Sequence, residues 1–588
     1  MAESEFANLT RAERALLQFA DIKNHARGDF AFAGTSTVPN DPSNDPTNAN
    51  NWDGQRNVRA ELVRWMCVDP EVPTLVDPRG IRLLGARITG KLDLSHVHVP
   101  FGIALIRCTI PERMNFDSAE IPRLDLHASY IGEIFAPSLV VNGDADIGWD
   151  GSEYSNDLHA SGETYFLSAR IGGTLSLGGS KFHYSLAPGR DPASSKLAMD
   201  LSLGGREALK PAVDLTNVQV KGDLVLCCGF ESQGGVLIGA VAIGGSLLCP
   251  GGHFINAGSV ALEADGARIE RDVYLNKAEL SPQTGGSGNF GRIWHPRPFE
   301  ADGLVSFVTA VVGGNFVVYV AEFKGLPSDN FGLDASGINV RGALAWQKVD
   351  LQGSGRLNLA GATIQALLDD EQSWPKPGNL ILDAFTYTWL GAPNDSASRL
   401  RWLALQAAGF HPQPYRQLAK VFRETGDESG ARQVLIAGED ARYQRLGLVG
   451  GIWGSLLKWT IGYGHRPLLT VMWAFGIILL GWAVVKAAAR AELMRPTYPE
   501  NTPSGGEHRY EELHPLLYSI DVFFPFVNLH QEHYWWPDSK LAGEWLVLGR
   551  GIRLSGSLVR YYLWFEIGAG WLLSAIFLAG VTGLLRNE

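Results

Sequence analysis

The chain has 588 residues, 62 acidic against 50 basic side chains, a formal net charge of −12 and 68 glycines. That length is well past the roughly 250–300 residues at which a single hydrophobic core stops growing, so at least two domains are expected. The negative balance, without any Lys/Arg run, excludes the cationic surface on which nucleic-acid binding depends.

Cysteine is scarce: Cys67, Cys108, Cys227, Cys228 and Cys249, with no C-x-x-C pair. This is not a disulfide framework. The abundant glycines lack a collagen period and predict tight turns at the corners of a repeat. The opening MAESEFANLTRAERALLQFA has acidic residues and no basic start before an apolar core, so no secretory signal is read there and the large N-terminal part is expected in the cytosol.

Residues 1–79 read as a helical cap. Leu16, Leu17 and Phe19 fall at helical spacing within Arg11 to Ala20. A Pro/Asn/Asp-rich loop, Val38 to Asn51, precedes a second expected helix over Arg56 to Cys67, with Val58, Leu62, Val63 and Met66 on one face. A cap is needed because the open end of a stacked repeat would expose apolar side chains and unpaired strand edges.

Residues 80–391 carry the repeat, first met in Leu83 to Leu94 (LLGARITGKLDL). Its core, apolar-x-Gly-x-apolar-x-apolar, returns at Ile88, Ile171, Val220, Ile243, Val312 and Val340, with less regular starts at Ile110, Ile131, Ile269 and Ile364. Period-two alternation predicts short strands with one buried face, and spacings of mostly about 21–28 residues predict one coil per repeat. The fold class expected is mainly β, a parallel β-solenoid similar to a loosened pentapeptide-repeat protein. Leucine-rich repeats share the period, but their L-x-x-L-x-L start and Asn are missing. Gly179 to Lys210 and Ser281 to Glu300 have the wrong composition for coils and read as loops leaving the stack.

Residues 392–450 switch to a helical period: Ser398 to Ala408, closed by Gly409 and Pro412, then Tyr415 to Arg445 broken at Gly426-Asp427. The pair is similar to one tetratricopeptide hairpin, and a single unit is too small for a groove, so a collar is expected. Residues 451–588 form the membrane domain, with uncharged runs at Pro467–Val485 and Ile567–Leu585 long enough to span a bilayer. Flanking charges do not settle the orientation.

Chemistry-bearing motifs fail in context. Gly286-x-Gly288-x-x-Gly291 lies in a polar insertion followed by RIWHPRP instead of opening a helix on a dinucleotide. Thr460 to Gly464 (TIGYG) looks like a potassium filter, yet it precedes the first span and reads as a juxtamembrane turn. Cys227 and Cys228 lack a flanking cation, which favours structural burial, and His96 and His98 read as outward-facing.

The candidate functional residues gather between and within the spans. Leu516 to Trp536 is rich in aromatics and suits the headgroup interface or a short re-entrant helix. His530 and His533, at i and i+3, have Glu532 and Asp521 as neighbouring oxygen donors, without the H-E-x-x-H metalloprotease spacing. Glu566, placed just inside the second span, is costly against lipid and so points to function. No catalytic, cofactor-binding or metal set is assigned.

WDGQRNVRAELVRWM, the GARI-x-G-x-LDL coils, YRQLAKVFRETGD, IGYGHRP before a span and LLYSIDVFFPFVNL before the last span together resemble a bacterial family of pentapeptide-repeat-like membrane proteins often labelled membrane-associated oxidoreductase. The resemblance implies the architecture above and an inner-membrane location. The residues of a redox site are missing: there is no haem or iron–sulfur cysteine spacing.

The expected function is non-enzymatic. A membrane-anchored cytosolic scaffold or sensor binds a protein partner on the solenoid face and couples it to a two-span membrane domain in the lipid bilayer. The alternatives are an oligomeric pore or membrane-perturbing effector gated by the solenoid, which would be a homo-oligomer, and a membrane-associated oxidoreductase.

Overall fold

The computed structural model describes residues 5–24, 28–148, 158–183, 211–278, 297–324, 331–353, 355–407, 409–466, 468–497, 512–547 and 550–582. The chain divides into two units, Met1–Thr425 and Gly426–Glu588.

Among the described residues, the first unit is built on a 36-stranded sheet whose pairings are parallel. Four ladders run through it. The first links Ile81, Ile103, Leu124, Ala145, Leu175, Leu224, Leu247, Val273, Phe316, Leu344, Leu367 and Leu390 in succession. The second includes Ile110, Ile131, Ala160 and Phe182. The third includes Leu92, Met114, Ile134, Thr164 and Val213, and the fourth Ile121, Val141, Ile171, Val220, Ile243, Ile269, Val312, Val340 and Ile364. The chain visits the ladders in this order and begins again. Period-two alternation sends these side chains inward, and nearly all of them are fully buried.

The interior is layered. Phe182, Phe230, Phe254, Phe299, Phe323 and Trp346 stack one above the next with ring centroids 5.1–5.8 Å apart. Each ring buries a large apolar area; the phenylalanines meet one another tilted by 38–47°, and Phe323 stacks on Trp346 at 22°.

Glycine turns the chain at positions such as Gly85, Gly90, Gly266 and Gly337, all with positive φ, and it also has a second role. The motif glycines Gly173, Gly245 and Gly314 lie where the backbone passes an acidic side chain, and a Cβ on them would strike Asp144, Asp223 and Asp272 respectively. Those carboxylates accept backbone N–H bonds from Thr174 (2.9 Å), Ser246 (2.7 Å) and Asn315 (2.6 Å). The left-handed corners after the third ladder are mostly filled by other residues: His96, Ser118, Ser138, Ser168, Asn217, Ala240, Thr309 and Ala384 have φ of 52–59°. Glycine therefore serves close approach as much as turning.

The first repeat is also half a circuit out of step with the others. Arg87 pairs with Thr109 and Leu92 with Met114, which puts Ile88 to Leu92 on the second and third ladders. Ile171 to Leu175 runs from the fourth to the first. Two opposite corners use the same alternation, so a sequence alignment superposes them.

Helix α1, Arg11–Ala20, is fixed by a capping box between Thr10 and Glu13. The expected helix from Arg56 begins later: Asn57–Arg59 is a strand in which Val58 pairs with Ile88, and α2 runs over Ala60–Val68. β-Branched Val58 suits that ladder position. Buried Glu13 bonds Arg59 Nε at 2.7 Å. Arg56 Nη1 reaches Asn44 Oδ1 and the Gly85 carbonyl, both at 3.1 Å, which ties the polar loop to the first strands.

Two edges of the expected insertions are ladder strands. Lys181–His183 pairs with Glu231, Ser232 and Gln233, and Glu300 pairs with His253. Residues 184–210 and 279–296, including Gly286, Gly288 and Gly291, lie outside the described residues. At the far end α3, Ser396–Leu403, and α4, Pro412–Glu424, cover the last strands. Gln413 and Gln417 donate to the carbonyls of Phe385 (3.0 Å) and Tyr387 (2.6 Å).

In the second unit α5, Glu428–Gln444, is capped by Asp427, and α6, Gly447–Ile461, ends on left-handed Gly462. Helices α7, Leu468–Arg490, and α10, Gly556–Val581, are each long and apolar enough to cross a membrane. Both extend beyond the uncharged runs. The first continues through Lys486 to Arg490, and the second starts at its Ser555 cap. Their large side chains stay exposed, Leu468 at 76% and Trp571 at 56% among them. Such apolar surface is uncommon on soluble monomers.

Candidate functional site

Helix α8, Pro515–Phe523, opens with proline at its first helical position and packs on α7 and α10. Tyr518 and Val522 join Val485, Ala488, Val559 and Leu563 in one apolar cluster. Ser519 Oγ lies 3.0 Å from the Ile478 carbonyl and also contacts Glu566 Oε1. The Phe523 carbonyl lies against Gly570, where a Cβ would strike it. Helix α8 thus meets the central turns of both long helices.

Glu566 sits in the centre of α10, not at its start, and is fully buried. Gly481 of α7 makes the room, since a Cβ there would run into Glu566 Oε1 and Ser519 Oγ. Glu566 Oε2 has no hydrogen-bond partner among the described residues. Tyr562, one turn earlier, donates to the Ile477 carbonyl at 3.1 Å. The Ser519 hydroxyl has one proton and two acceptor neighbours, so satisfying both contacts takes a second proton, and the adjacent group able to supply it is the Glu566 carboxyl. A buried carboxyl with an oxygen left unbonded is costly, and such a group within an apolar helix points to function.

The other candidates are not brought to Glu566. Asp521 is buried and accepts from the backbone N–H of Leu529 (2.6 Å) and Glu532 (3.0 Å), so it staples the loop leaving α8. His530 has a left-handed φ of 63° and starts the short helix α9, Gln531–Tyr534. Its ring centroid is 6.2 Å from that of His533. No three His, Cys, Asp or Glu side chains among the described residues converge as a metal site.

Glu532 and His533 instead line a cleft that was not read from the sequence. It has a volume of about 490 Å³ and is bounded also by Arg495, Pro496, Thr497, Trp536, Pro537, Asp538 and Arg560. Antiparallel pairing of Arg495 with Trp536 joins residues forty-odd positions apart, a pairing for which the sequence carries no signal.

The TIGYG stretch is a helix terminus. Gly462 and Tyr463 donate backbone N–H bonds to the carbonyls of Lys458 and Leu457 at 3.1 and 3.3 Å, and Thr470 Oγ1 donates to the Thr460 carbonyl at 3.0 Å. Tyr463 stacks on Tyr443 and donates to Asp440 at 2.8 Å. Burial, together with that bond to Asp440, raises the Tyr463 hydroxyl above the ordinary tyrosine range.

In the first unit, Cys227 and Cys228 are half-buried at a corner, with their sulfurs joined and Cys228 at φ 60°. The expectation of burial is thereby corrected. Cys67 and Cys108 are buried thiols, which burial pushes up to about 12. His98 is outward and pairs with Glu120 at 3.0 Å, and His96 is an exposed corner residue.

No protein-family model matches the chain, and no curated protein and no solved structure is significantly similar to it.

Proposed function

We propose that the four ladders are the sides of a parallel β-solenoid, and that the chain is an inner-membrane scaffold or sensor. Its cytosolic solenoid binds a protein partner on its outer face and is coupled to a two-span membrane domain. The observation that carries this reading is the filled interior: ladder after ladder is packed with buried apolar side chains, so a partner meets the outside. Cross-linking of the full-length chain in native membranes tests it. Links from outward lysines such as Lys91 and Lys221 to a second protein are expected, and links confined to the chain itself count against it.

A second reading is favoured by one feature, helix α8 against the centres of α7 and α10. A span, a half-length helix, a returning loop and a span is an arrangement that, repeated around an axis, encloses a path lined by the loops. The returning loop exposes Phe526 at 75%, a surface suited to a second copy. In this reading the membrane domain is an oligomeric pore. A chain that is monomeric in detergent and passes no current after reconstitution ends it.

A further inference from the structure

We propose that the cleft between Arg495 and Arg560 holds the headgroup of a zwitterionic lipid, a phosphoethanolamine. The proposal rests on reading α7 and α10 as membrane spans, because that reading places the cleft at a membrane surface. Arg495 follows the end of α7, and Arg560 lies in the second turn of α10. Both therefore stand at the same end of the helix pair, beside Trp535 and Trp536, where amphipathic rings settle at headgroup level.

The cleft is built by backbone ties and not by loose side chains. Met494 pairs with Pro537 and Pro496 with Trp535. Asp538 N–H donates to the Leu493 carbonyl (2.9 Å), Thr497 N–H to the Tyr534 carbonyl (3.0 Å), and the Tyr518 hydroxyl to the Trp535 carbonyl (3.1 Å). Arg560 is held with its Nη2 on the Pro537 carbonyl at 2.9 Å and its guanidinium 5.9 Å from the centre of the Trp536 ring. Its Nε is buried and has no hydrogen-bond partner among the described residues.

Charge selects the ligand. Two guanidiniums suit a phosphodiester, which accepts planar, bidentate bonds. A phosphate alone would leave Glu532 and Asp538, which line the same cleft, beside an anion. A headgroup carrying an ammonium beside its phosphate satisfies both signs. A primary ammonium, with three N–H donors, can bond those carboxylates, whereas a choline cannot. The volume of about 490 Å³ accommodates a headgroup with its glycerol.

The experiment uses the full-length chain in detergent, with phosphatidylethanolamine, phosphatidylcholine, phosphatidylglycerol or soluble O-phosphoethanolamine added, and reads the thermal midpoint of the membrane unit and the lipid retained by mass spectrometry. Expected are preferential retention of phosphatidylethanolamine, an at least tenfold weaker apparent affinity in Arg560→Gln and Arg495→Gln, and loss of the preference over phosphatidylglycerol in Glu532→Gln/Asp538→Asn. Equal retention of all three lipids, or a preference unchanged in the double arginine variant, overturns the proposal. A stronger effect of phosphatidylglycerol overturns the zwitterion, and a response to soluble O-phosphoethanolamine alone overturns the lipid. Liposome flotation of each variant reports membrane insertion separately, so intact flotation with lost preference implicates the cleft and not the spans. If an arginine variant fails to float, lipid retention by the Glu532→Gln/Asp538→Asn variant decides.

Discussion

The Arg399 guanidinium grips the Asp369 carboxylate through two bonds, 2.6 Å from Nη2 and 2.8 Å from Nη1, with both side chains out of solvent. Trp374 Nε1 donates a third bond to Asp369 at 2.8 Å, and Arg399 also reaches the Gly391 carbonyl at 3.2 Å. Helix α3 is thereby pinned to the last strands. Arg399→Met leaves a buried carboxylate without its countercharge and is expected to cost about 3–5 kcal/mol. Replacing both partners, Arg399→Met with Asp369→Leu, is expected to recover part of that loss. Urea unfolding of the two variants beside the parent chain, followed through the β signal, measures it.

The opposite end depends on pH. Burial works to raise the Glu13 carboxyl, but the bonds from Arg59 and the backbone N–H of Thr10 and Arg59 outweigh it and hold Glu13 below its ordinary value of 4.5. A carboxyl depressed by folding adds stability that is present above its unfolded value and is lost as pH falls through the folded one. Hydrogen-exchange protection over residues 10–20, taken relative to the intrinsic rate at each pH, is therefore expected to fall below about pH 4.5. Glu13→Gln should show reduced protection at pH 7 and little further loss on acidification.

Close approach and turning make different demands, and the repeat separates them. A Cβ on Gly245 would meet Asp223 Oδ1, a side-chain oxygen held by the Ser246 N–H, and, at 2.8 Å, the Gly222 backbone carbonyl. Gly245→Ala is expected to cost about 1–3 kcal/mol, the usual range for overpacking. Ala240→Gly, at a left-handed corner with φ 52°, removes a steric penalty while adding unfolded-state freedom, and is expected to change stability by less than about 1 kcal/mol. Thermal melts of the two single variants show whether the motif glycine is there for space.

What the sequence made legible follows from period and range. Alternation every second residue is local, so Leu175, Leu224 and Leu247 announce themselves as inward positions. Helices α1 and α5 are likewise announced by the Thr10 and Asp427 caps, and α4 by its apolar face. Which corner a motif occupies is not local, and Ile88 was aligned with Ile171 although they lie on different ladders. The contacts of Glu566 with Ser519 and Gly481 join three separate segments, and no periodicity reports such a meeting. Its place in α10 is hidden because Glu566 itself bounds the uncharged run, while the helix reaches back through Arg560 to Gly556.

The membrane unit supplies the last expectation. Ser519 and Gly481 are the two features that let α8 approach Glu566, one by bonding and one by making room. Glu566→Gln keeps the shape and an N–H donor, so α8 is expected to stay docked. Gly481→Leu fills the space taken by the carboxyl and the hydroxyl and is expected to push α8 away from α7. A cysteine pair at Val485 and Val522, neighbours in the same apolar cluster, reports docking through its cross-linking yield. Yield should be retained in Glu566→Gln and fall severalfold in Gly481→Leu. Equal yields in both would mean that α8 is held by its apolar face alone and that the carboxyl is free for another task.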